Sequence, residues 1–169
     1  RRVAKAHDYN AALITAVENV NDRQKFVISN KVVKRFGEDL SGKIFGIWGL
    51  AFKPGTDDMR ESPAIYVIKE LVKRGARIVA YDPKAMDEAK NHYLKGINEV
   101  AYVNSKYKVL ENANALILLT EWKEFRSPDF DEIKSQLVSP VIFDGRNQYN
   151  AFNIEKDGFE YFQIGKSSI

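Results

Sequence analysis

The segment over residues 42–63 constrains the fold more than any other part of this sequence. It begins with the short apolar run Ile44–Trp48, which lies between glycines and is typical of a buried strand. It ends with Ser62 and Pro63, which predict the N-cap and the first residue of a helix, because proline at that position loses no hydrogen bond. The long loop between them carries Lys53 and Arg60. In a doubly wound sheet such a loop leaves the carboxyl end of a strand, where ligands bind.

The elements that follow predict an α/β fold. Residues 63–74 have apolar side chains at helical spacing, and Arg77–Tyr81 is typical of the next strand. A strand–helix–strand connection of this length predicts a parallel, right-handed unit. Later segments continue the alternation, with helices predicted over 84–95, 106–112 and 130–137 and strands over 100–103, 115–119, 141–143 and 159–164. We therefore predict a doubly wound, Rossmann-like domain with a parallel sheet.

A long helix is predicted ahead of this domain. Apolar residues spaced by three and four form a stripe within residues 1–36, among them Leu13, Val17, Val20, Ile28 and Val32. One alternative is a short helix that feeds a longer one, with the break at Asp8-Tyr9-Asn10. Because one small sheet cannot cover a helix of this length, we expect part of the stripe to pack against another domain or a second copy of the chain. The other alternative is an ordinary amphipathic helix on its own domain.

Composition excludes several classes of function. The 169 residues carry a net charge of +3 without a long basic block, which argues against nucleic-acid binding. No apolar run approaches the ~20 residues that span a bilayer, so no membrane partner is expected. Cysteine is absent, which excludes disulfides and a cysteine nucleophile within these residues. The two histidines, His7 and His92, lack metal-ligand spacing, so we predict no metal site.

Two basic residues are expected at the same edge of the sheet. Lys53 follows the first strand, and Arg146 follows Asp144-Gly145 after a later buried strand, so both should project over the carboxyl ends of the strands. Cations held in such a crevice can bind a diphosphate. Phe52, beside Lys53, adds a flat apolar face and a backbone amide. The alternative is that Lys53 and Arg146 are solvated surface cations.

Two acidic residues near strand ends admit more than one interpretation. Asp82 follows the second strand, where dinucleotide folds place the carboxylate that binds ribose. The first turn lacks the Gly-x-Gly-x-x-Gly spacing, however, which argues against a canonical NAD site in this domain. We interpret Asp82 as a turn residue that caps the following helix. Glu121 is either a ligand contact or a second turn residue, and Trp122 and Phe125 are predicted to pack in the core.

Four motifs together resemble a known family. The fifteen residues 49–63 resemble the signature that opens the C-terminal, UDP-binding domain of the UDP-glucose/GDP-mannose dehydrogenase family, and of its UDP-glucose 6-dehydrogenases in particular. Tyr81-Asp82-Pro83, Thr120-Glu121-Trp122 and Asp144-Gly145-Arg146 fit the same family in the same order. The segment over residues 21–24 is similar to the family's central helix.

The resemblance implies roles for individual residues. Phe52, Lys53 and Arg146 are expected to hold the UDP-sugar substrate, and Arg60 is expected to reach across to an NAD-binding half of the enzyme. The alternative for Arg60 is an ion pair with a neighbouring carboxylate, that of Asp57, Asp58 or Glu61. The resemblance also implies a central helix region over residues 1–40 that forms a homodimer, followed by a UDP-sugar-binding domain over residues 41–169.

The resemblance further implies the function of a longer protein. That protein is a cytoplasmic, NAD-dependent enzyme that oxidises the C6 alcohol of UDP-glucose to a carboxylate in two hydride transfers, through a thioester on a cysteine. In the family this cysteine lies upstream of the matched segment, so we expect the 169 residues to bind and orient substrate without turnover. The alternatives are the same portion of a UDP-N-acetylmannosamine or GDP-mannose dehydrogenase, or a nucleotide-binding module without catalysis.

Overall fold

The computed structural model describes residues 12–166, and its centre is a sheet of six parallel strands. The strands are β1 (Ile44–Trp48), β2 (Arg77–Tyr81), β3 (Val100–Tyr102), β4 (Ala115–Leu118), β5 (Val141–Asp144) and β6 (Glu160–Gln163). Their spatial order is β3-β2-β1-β4-β5-β6, and every neighbouring pair is parallel. The predicted doubly wound α/β fold is therefore confirmed.

The strand order reverses between β1 and β4. The chain builds β1, β2 and β3 outward from the centre and then returns to place β4 on the other side of β1. Across this seam Phe45 is the partner of Ala115, and Trp48 is the partner of Leu118. In open α/β sheets, ligands bind in the crevice outside the carboxyl ends of the strands at such a point.

Both faces of the sheet are covered, as the side chains of β1 demonstrate. Phe45 meets Phe36 of the N-terminal helical segment edge-on, with 5.4 Å between ring centroids. Trp48, three residues later, points to the opposite face and stacks on Phe125 at 5.0 Å. All residues of β4 and β5 are buried, which is typical of parallel strands between two layers. The predicted packing role of Phe125 is confirmed.

The α-helices within residues 12–166 are α1 (Ala12–Gln24), α2 (Val27–Phe36), α3 (Pro63–Lys73), α4 (Met86–Glu88) and α5 (Phe130–Gln136). The start of α3 is as predicted: Pro63 is its first residue, and the hydroxyl of Ser62 accepts a hydrogen bond from the N–H of Ala64 at 3.3 Å. Ile65 and Ile68 lie on its buried side. The strand–loop–helix interpretation of residues 42–63 is confirmed.

Two predicted helices differ from the structure in length and winding. The segment over 84–95 is α-helical only in α4 and continues as a π-helix, Ala89–Tyr93. The N–H of Leu94 donates to the carbonyl of Ala89 at 2.8 Å, so the wider turn aligns two buried residues five positions apart. The segment over 106–112 is a 3₁₀-helix, Tyr107–Leu110. Helical structure was predicted in both places, but both segments are shorter than predicted, and apolar spacing alone does not distinguish these windings from an α-helix.

The N-terminal helical segment is interrupted once, at Lys25 and Phe26. Before the break, α1 has no buried residue, and Val17 is 52% exposed. After it, α2 buries Ile28 and Val32 in the core of the sheet domain. The predicted apolar stripe therefore divides into a covered and an uncovered part. The alternative break at Asp8-Tyr9-Asn10 lies outside the described residues.

Candidate functional site

Loops from both halves of the sheet meet at its carboxyl edge, around the seam between β1 and β4. The loop after β1 contains three of the predicted site residues, Phe52, Lys53 and Arg60. The loop after β5 contains the fourth, Arg146. In the strand order the loop after β4 lies between these two and the loop after β2 lies on the other side of β1; both contribute buried polar side chains.

Asp82, at the end of β2, joins three of these loops. Its side chain is fully buried. Its Oδ2 accepts hydrogen bonds from the N–H groups of Leu50 at 2.7 Å and Ala51 at 3.0 Å, and from the indole Nε1 of Trp122 at 3.0 Å. Its Oδ1 accepts hydrogen bonds at 2.8 Å from the N–H groups of the two residues that begin the next turn, Lys84 and Ala85. The predicted turn is confirmed, but α4 has Ala85 as its N-cap and no side-chain cap hydrogen bond, so the prediction that Asp82 caps the following helix was wrong. The same carboxylate also fixes loops that are distant in sequence.

The carbonyl groups of Leu50 and Ala51 are bonded to side chains as well. The hydroxyl of Ser62 donates to the carbonyl of Leu50 at 2.7 Å, and the hydroxyl of Thr120 donates to that of Ala51 at 2.6 Å. Gly49 precedes them with a φ of +93°, and a Cβ there would lie 2.5 Å from the Cβ of Thr120. These contacts within the protein hold the backbone before Phe52 and Lys53 in place, so its position does not depend on a bound ligand.

Phe52 and Lys53 follow this fixed segment, and both are exposed. Phe52 is 46% exposed, so its ring presents an apolar surface to solvent. Its N–H donates to the carbonyl of Asp58 at 2.9 Å, and its carbonyl accepts from Nη2 of Arg146 at 3.1 Å. The ammonium of Lys53 makes no hydrogen bond or ion pair with any residue that the structure describes. Its charge is therefore available to a ligand.

The turn after β5 presents Arg146. The buried carboxylate of Asp144 accepts hydrogen bonds at 2.8 Å from the N–H of Arg146 and from the hydroxyl of Tyr161. Burial and the neighbouring Asp144 raise the pKa of Tyr161 far above its ordinary value, so this hydroxyl remains a donor. Glycine is required at position 145, between Asp144 and Arg146, because a Cβ there would lie 2.9 Å from the carbonyl oxygen of Leu118. The Asp-Gly-Arg motif is thus a tight turn that aims one guanidinium.

The guanidinium of Arg146 is only partly engaged. Its Nε donates to the carbonyl of Leu119 at 2.8 Å, and its Nη2 donates to that of Phe52. Oε2 of Glu121 lies 2.9 Å from Nε. The direction is unsuitable for a hydrogen bond, so this contact is an ion pair only. Nη1 makes no hydrogen bond within residues 12–166, and the side chain is 28% exposed, so donors remain for an anion.

Arg60 forms an ion pair with Asp58, which is the alternative role that was predicted for it from the sequence. Its Nε lies 3.0 Å from Oδ1 of Asp58, and its Nη2 lies 2.7 Å from Oδ2. Hydrogen bonds from the side chain and the backbone N–H of Arg60 lower the pKa of Asp58 to about 2, so the pair is charged at neutral pH. The side chain of Arg60 is nevertheless 79% exposed, which leaves one side of the guanidinium open.

An open cavity of about 280 Å³ lies beside Arg146, between the N-terminal helical segment and the sheet edge. Its polar lining comes from the end of α1, the helix break and the turn after β5, namely Gln24, Lys25, Arg146 and Asn147. Ile28, Val67 and Leu119 supply apolar lining. Phe52 and Lys53 do not line this cavity.

The structure thus brings Phe52 and Arg146 into direct contact, and Lys53 follows Phe52 in the chain. Arg60 lies on the same loop as Lys53, yet among the described residues its side chain pairs only with Asp58. The sequence-based interpretation missed the wider role of Asp82, although its motif was noted. The signal present at that position, a carboxylate at a strand end, predicted only the local cap.

The described part of the chain gives no sign of two other kinds of site. None of its helices combines the length and the apolar character that a bilayer span requires. No group of three or more histidine, aspartate or glutamate side chains within residues 12–166 is placed to hold a metal ion.

Comparison with known proteins gives a match to one family. The family model described as "UDP-glucose/GDP-mannose dehydrogenase family, UDP binding domain" matches residues 46–151. The UDP-glucose 6-dehydrogenase of Rhizobium meliloti is 39% identical over 165 residues, and that of Pseudomonas aeruginosa is 37% identical over 167 residues. Each alignment covers 98% of this chain and 37% of the relative. The chain therefore spans little more than a third of the length of these relatives.

Solved structures give the same picture. A UDP-glucose dehydrogenase from Pyrobaculum islandicum superposes with a TM-score of 0.77 at 30% identity, over 97% of this chain and 34% of that one. A UDP-D-ManNAc dehydrogenase from Pyrococcus horikoshii has a TM-score of 0.73 at 23% identity, over 98% of this chain and 36% of that one, and supports the fold alone.

Proposed function

Because this chain belongs to the UDP-glucose/GDP-mannose dehydrogenase family, we propose that it forms the UDP-sugar-binding portion of an NAD-dependent UDP-glucose 6-dehydrogenase. The main support for the proposal is the position of the candidate residues. Phe52, Lys53, Arg60 and Arg146 all fall within the matched residues 46–151 and on loops at the carboxyl edge of the sheet. The names of the two bacterial relatives support UDP-glucose as the sugar nucleotide.

In this proposal Lys53 and Arg146 bind the diphosphate. Lys53 offers an ammonium that makes no hydrogen bond or ion pair in the described residues, although its charge also acts on Asp58, and Arg146 retains N–H donors after its two backbone contacts. A charge-assisted hydrogen bond of this kind contributes roughly 1.5–3 kcal/mol. The exposed ring of Phe52 offers a flat apolar surface for the uridine end.

The described residues do not form a dinucleotide site by themselves. Asp82 occupies the position at which dinucleotide folds place the ribose-binding carboxylate, yet it is buried and both of its oxygens accept hydrogen bonds from the protein. We therefore assign NAD mainly to the other half of the enzyme. Arg60, with its exposed guanidinium, is the residue proposed to reach that half.

We expect binding and orientation of the substrate, but no turnover, from these 169 residues alone. They contain no cysteine, and a thioester requires a thiolate nucleophile. The chain should produce no NADH absorbance when it is mixed with NAD and UDP-glucose. A steady rate that survives repurification would contradict this part of the proposal.

We also propose a homodimer in which a second copy covers α1. Four large apolar side chains of this helix are strongly exposed, at 79%, 49%, 52% and 52% for Leu13, Ile14, Val17 and Val20. An isologous helix pair is a common way to bury such a face. We also propose a cytoplasmic location. We further propose a division into residues 1–40 and residues 41–169. Ile28 and Val32 of α2 belong to the first part and pack in the core of the second.

Calorimetric titration of UDP, UMP, uridine and GDP into the protein tests the proposal. We expect UDP to bind about tenfold to a hundredfold more tightly than uridine, because the phosphates add charge-assisted bonds. Equal affinities for UDP and uridine would contradict the role given to the cations. Tighter binding of GDP than of UDP would instead point to a GDP-sugar as the substrate.

A further inference from the structure

The loop between β1 and α3 is held differently at its two ends. Its first residues, Leu50 and Ala51, are fixed by the buried side chains of Asp82 and Thr120. Its last residues contact the break between α1 and α2 instead. This second attachment has no part in the nucleotide contacts proposed above.

Lys25 lies at the break between the helices and makes this attachment. Its ammonium donates to Oδ1 of Asp22 at 3.1 Å, to the carboxylate of Glu61 and to the hydroxyl of Tyr66 at 3.4 Å. It also lies 4.5 Å from the centroid of the Tyr66 ring. Although it is a cation, its side chain is only 16% exposed. The hydrogen bond to Glu61 raises the pKa of Lys25, so the ammonium stays charged.

The neighbouring residues support the same contact. Phe26 meets the ring of Tyr66 edge-on, with 5.9 Å between centroids, so the helix break packs against α3. The hydroxyl of Tyr66 donates to Oε2 of Glu61 at 3.2 Å. The break, α3 and the end of the loop therefore form one cluster around Lys25 and Glu61.

Glu61 has a backbone conformation that requires support. Its φ is +59°, in the left-handed region that side chains other than glycine rarely adopt. Such a conformation persists only where the surroundings hold it. Lys25 and Tyr66 are the partners of its carboxylate among the described residues, and the Lys25 hydrogen bond lowers the pKa of Glu61. Arg60 and Ser62 flank it, the first an exposed cation and the second the N-cap of α3.

We propose that Lys25 is a positioning residue for the nucleotide-binding loop. By holding Glu61 in the left-handed conformation, it fixes the far end of the loop and the direction in which Arg60 leaves it. It also connects this loop to the break between α1 and α2, so a displacement of α1 would be transmitted to the loop. The effect on UDP binding rests on the proposed function, whereas the effect on the loop does not.

Amide hydrogen exchange tests the positioning role directly. In Lys25→Met we expect the bonded amides of Arg60 and Ser62 to exchange about two- to fivefold faster, the range typical of a partly exposed ion pair. Leu50 and Ala51, which Asp82 holds, should keep their rates. Lys25→Arg should restore part of the protection, because it retains the charge.

Lys69→Met is the matched control. Lys69 is exposed on α3 and has no hydrogen bond or ion pair within residues 12–166, so the variant removes the same charge without the contact. Unchanged exchange of Arg60 and Ser62 in Lys25→Met would overturn the proposal. An equal acceleration at Leu50 and Ala51 would also overturn it, since the effect would then be a general loss of stability.

Titration of UDP into the same proteins separates this inference from the proposed function. We expect Lys25→Met to bind UDP about two- to fivefold more weakly and Lys69→Met to bind it like the unaltered protein. If the unaltered protein does not bind UDP, the proposed function fails, and the exchange rates still decide the role of Lys25. Faster exchange with unchanged UDP affinity would overturn the link between the loop and the ligand.

Discussion

The substitution Asp82→Asn tests how the carboxyl-edge loops are held together. It keeps the shape of the side chain and replaces one acceptor by an NH₂ group. Oδ2 accepts three hydrogen bonds and Oδ1 accepts two, so the best orientation of the amide keeps its oxygen at the position of Oδ2. The NH₂ group then faces the partly buried N–H of Lys84 and the buried N–H of Ala85, and both donors lose their acceptor.

The expected cost follows from those two donors. Each buried N–H without an acceptor destabilises a protein by about 1–3 kcal/mol. We therefore expect the free energy of unfolding to fall by about 1–3 kcal/mol for the buried N–H of Ala85, with a smaller further loss for the partly buried N–H of Lys84. This is a large share of the roughly 5–15 kcal/mol that is typical of a folded domain.

Equilibrium unfolding in urea, followed by tryptophan fluorescence, measures this loss. The protein has two tryptophans: Trp122 is bonded to Asp82, and Trp48 is the last residue of β1. Asp87→Asn is the control, because Asp87 is exposed and has no hydrogen bond or ion pair within residues 12–166. We expect that control to change stability by less than about 0.5 kcal/mol. A comparably small loss in Asp82→Asn would refute the claim that this carboxylate joins the loops.

Three further predictions concern the turn, the ion pair and the dimer. Gly145→Ala should lower the free energy of unfolding by about 1–3 kcal/mol, since its Cβ would lie 2.9 Å from the Leu118 carbonyl oxygen; unchanged thermal unfolding would contradict the close approach. The carboxyl group of Asp58 should titrate near pH 2 by NMR and move toward its ordinary 3.8 in Arg60→Ala. Because the pKa of Asp58 is lower in the folded protein, the ion pair stabilises the fold above about pH 3.8, and this stabilisation is lost as the pH falls toward 2. Equal titration midpoints of Asp58 in the unaltered protein and in Arg60→Ala would exclude the pair in solution. Light scattering coupled to size exclusion should report a dimer at micromolar concentration and a monomer for Val17→Asp, whereas a monomeric unaltered protein would count against the dimer.

The parts of the fold that local patterns encode could be predicted from the sequence. The apolar runs over residues 115–119 and 141–143 predicted the strands β4 and β5, and all residues of both strands are buried. Ser62 and Pro63 marked the start of α3, because capping depends on residues next to one another in the chain. The positions of Phe52 and Arg146 followed from the rule that loops after parallel strands share one edge.

The wider role of Asp82 could not be predicted from local pattern. Its hydrogen bonds to Leu50 and Trp122 join residues that are 32 and 40 positions apart in the chain. No local pattern carries such pairings, whereas the turn just after Asp82 is local and was predicted.

The break between α1 and α2 was missed for the same reason. The apolar spacing continues through Lys25 and Phe26, so the pattern predicts an unbroken helix there. The contact at the break reaches Glu61, 36 positions away. Only the tertiary structure brings these residues together.

In the proposed function, the cations at the carboxyl edge of the sheet bind the diphosphate of UDP. Calorimetric titration of UDP into the unaltered protein, Lys53→Ala, Arg146→Ala and Arg60→Ala tests it most directly. We expect the two variants at Lys53 and Arg146 to bind UDP about tenfold to a hundredfold more weakly, and the Arg60 variant to bind it almost unchanged. Arg146→Lys should recover only part of the affinity, because an ammonium cannot reproduce a planar guanidinium. Equal affinities across the folded proteins would contradict the claim and leave these residues as surface charges.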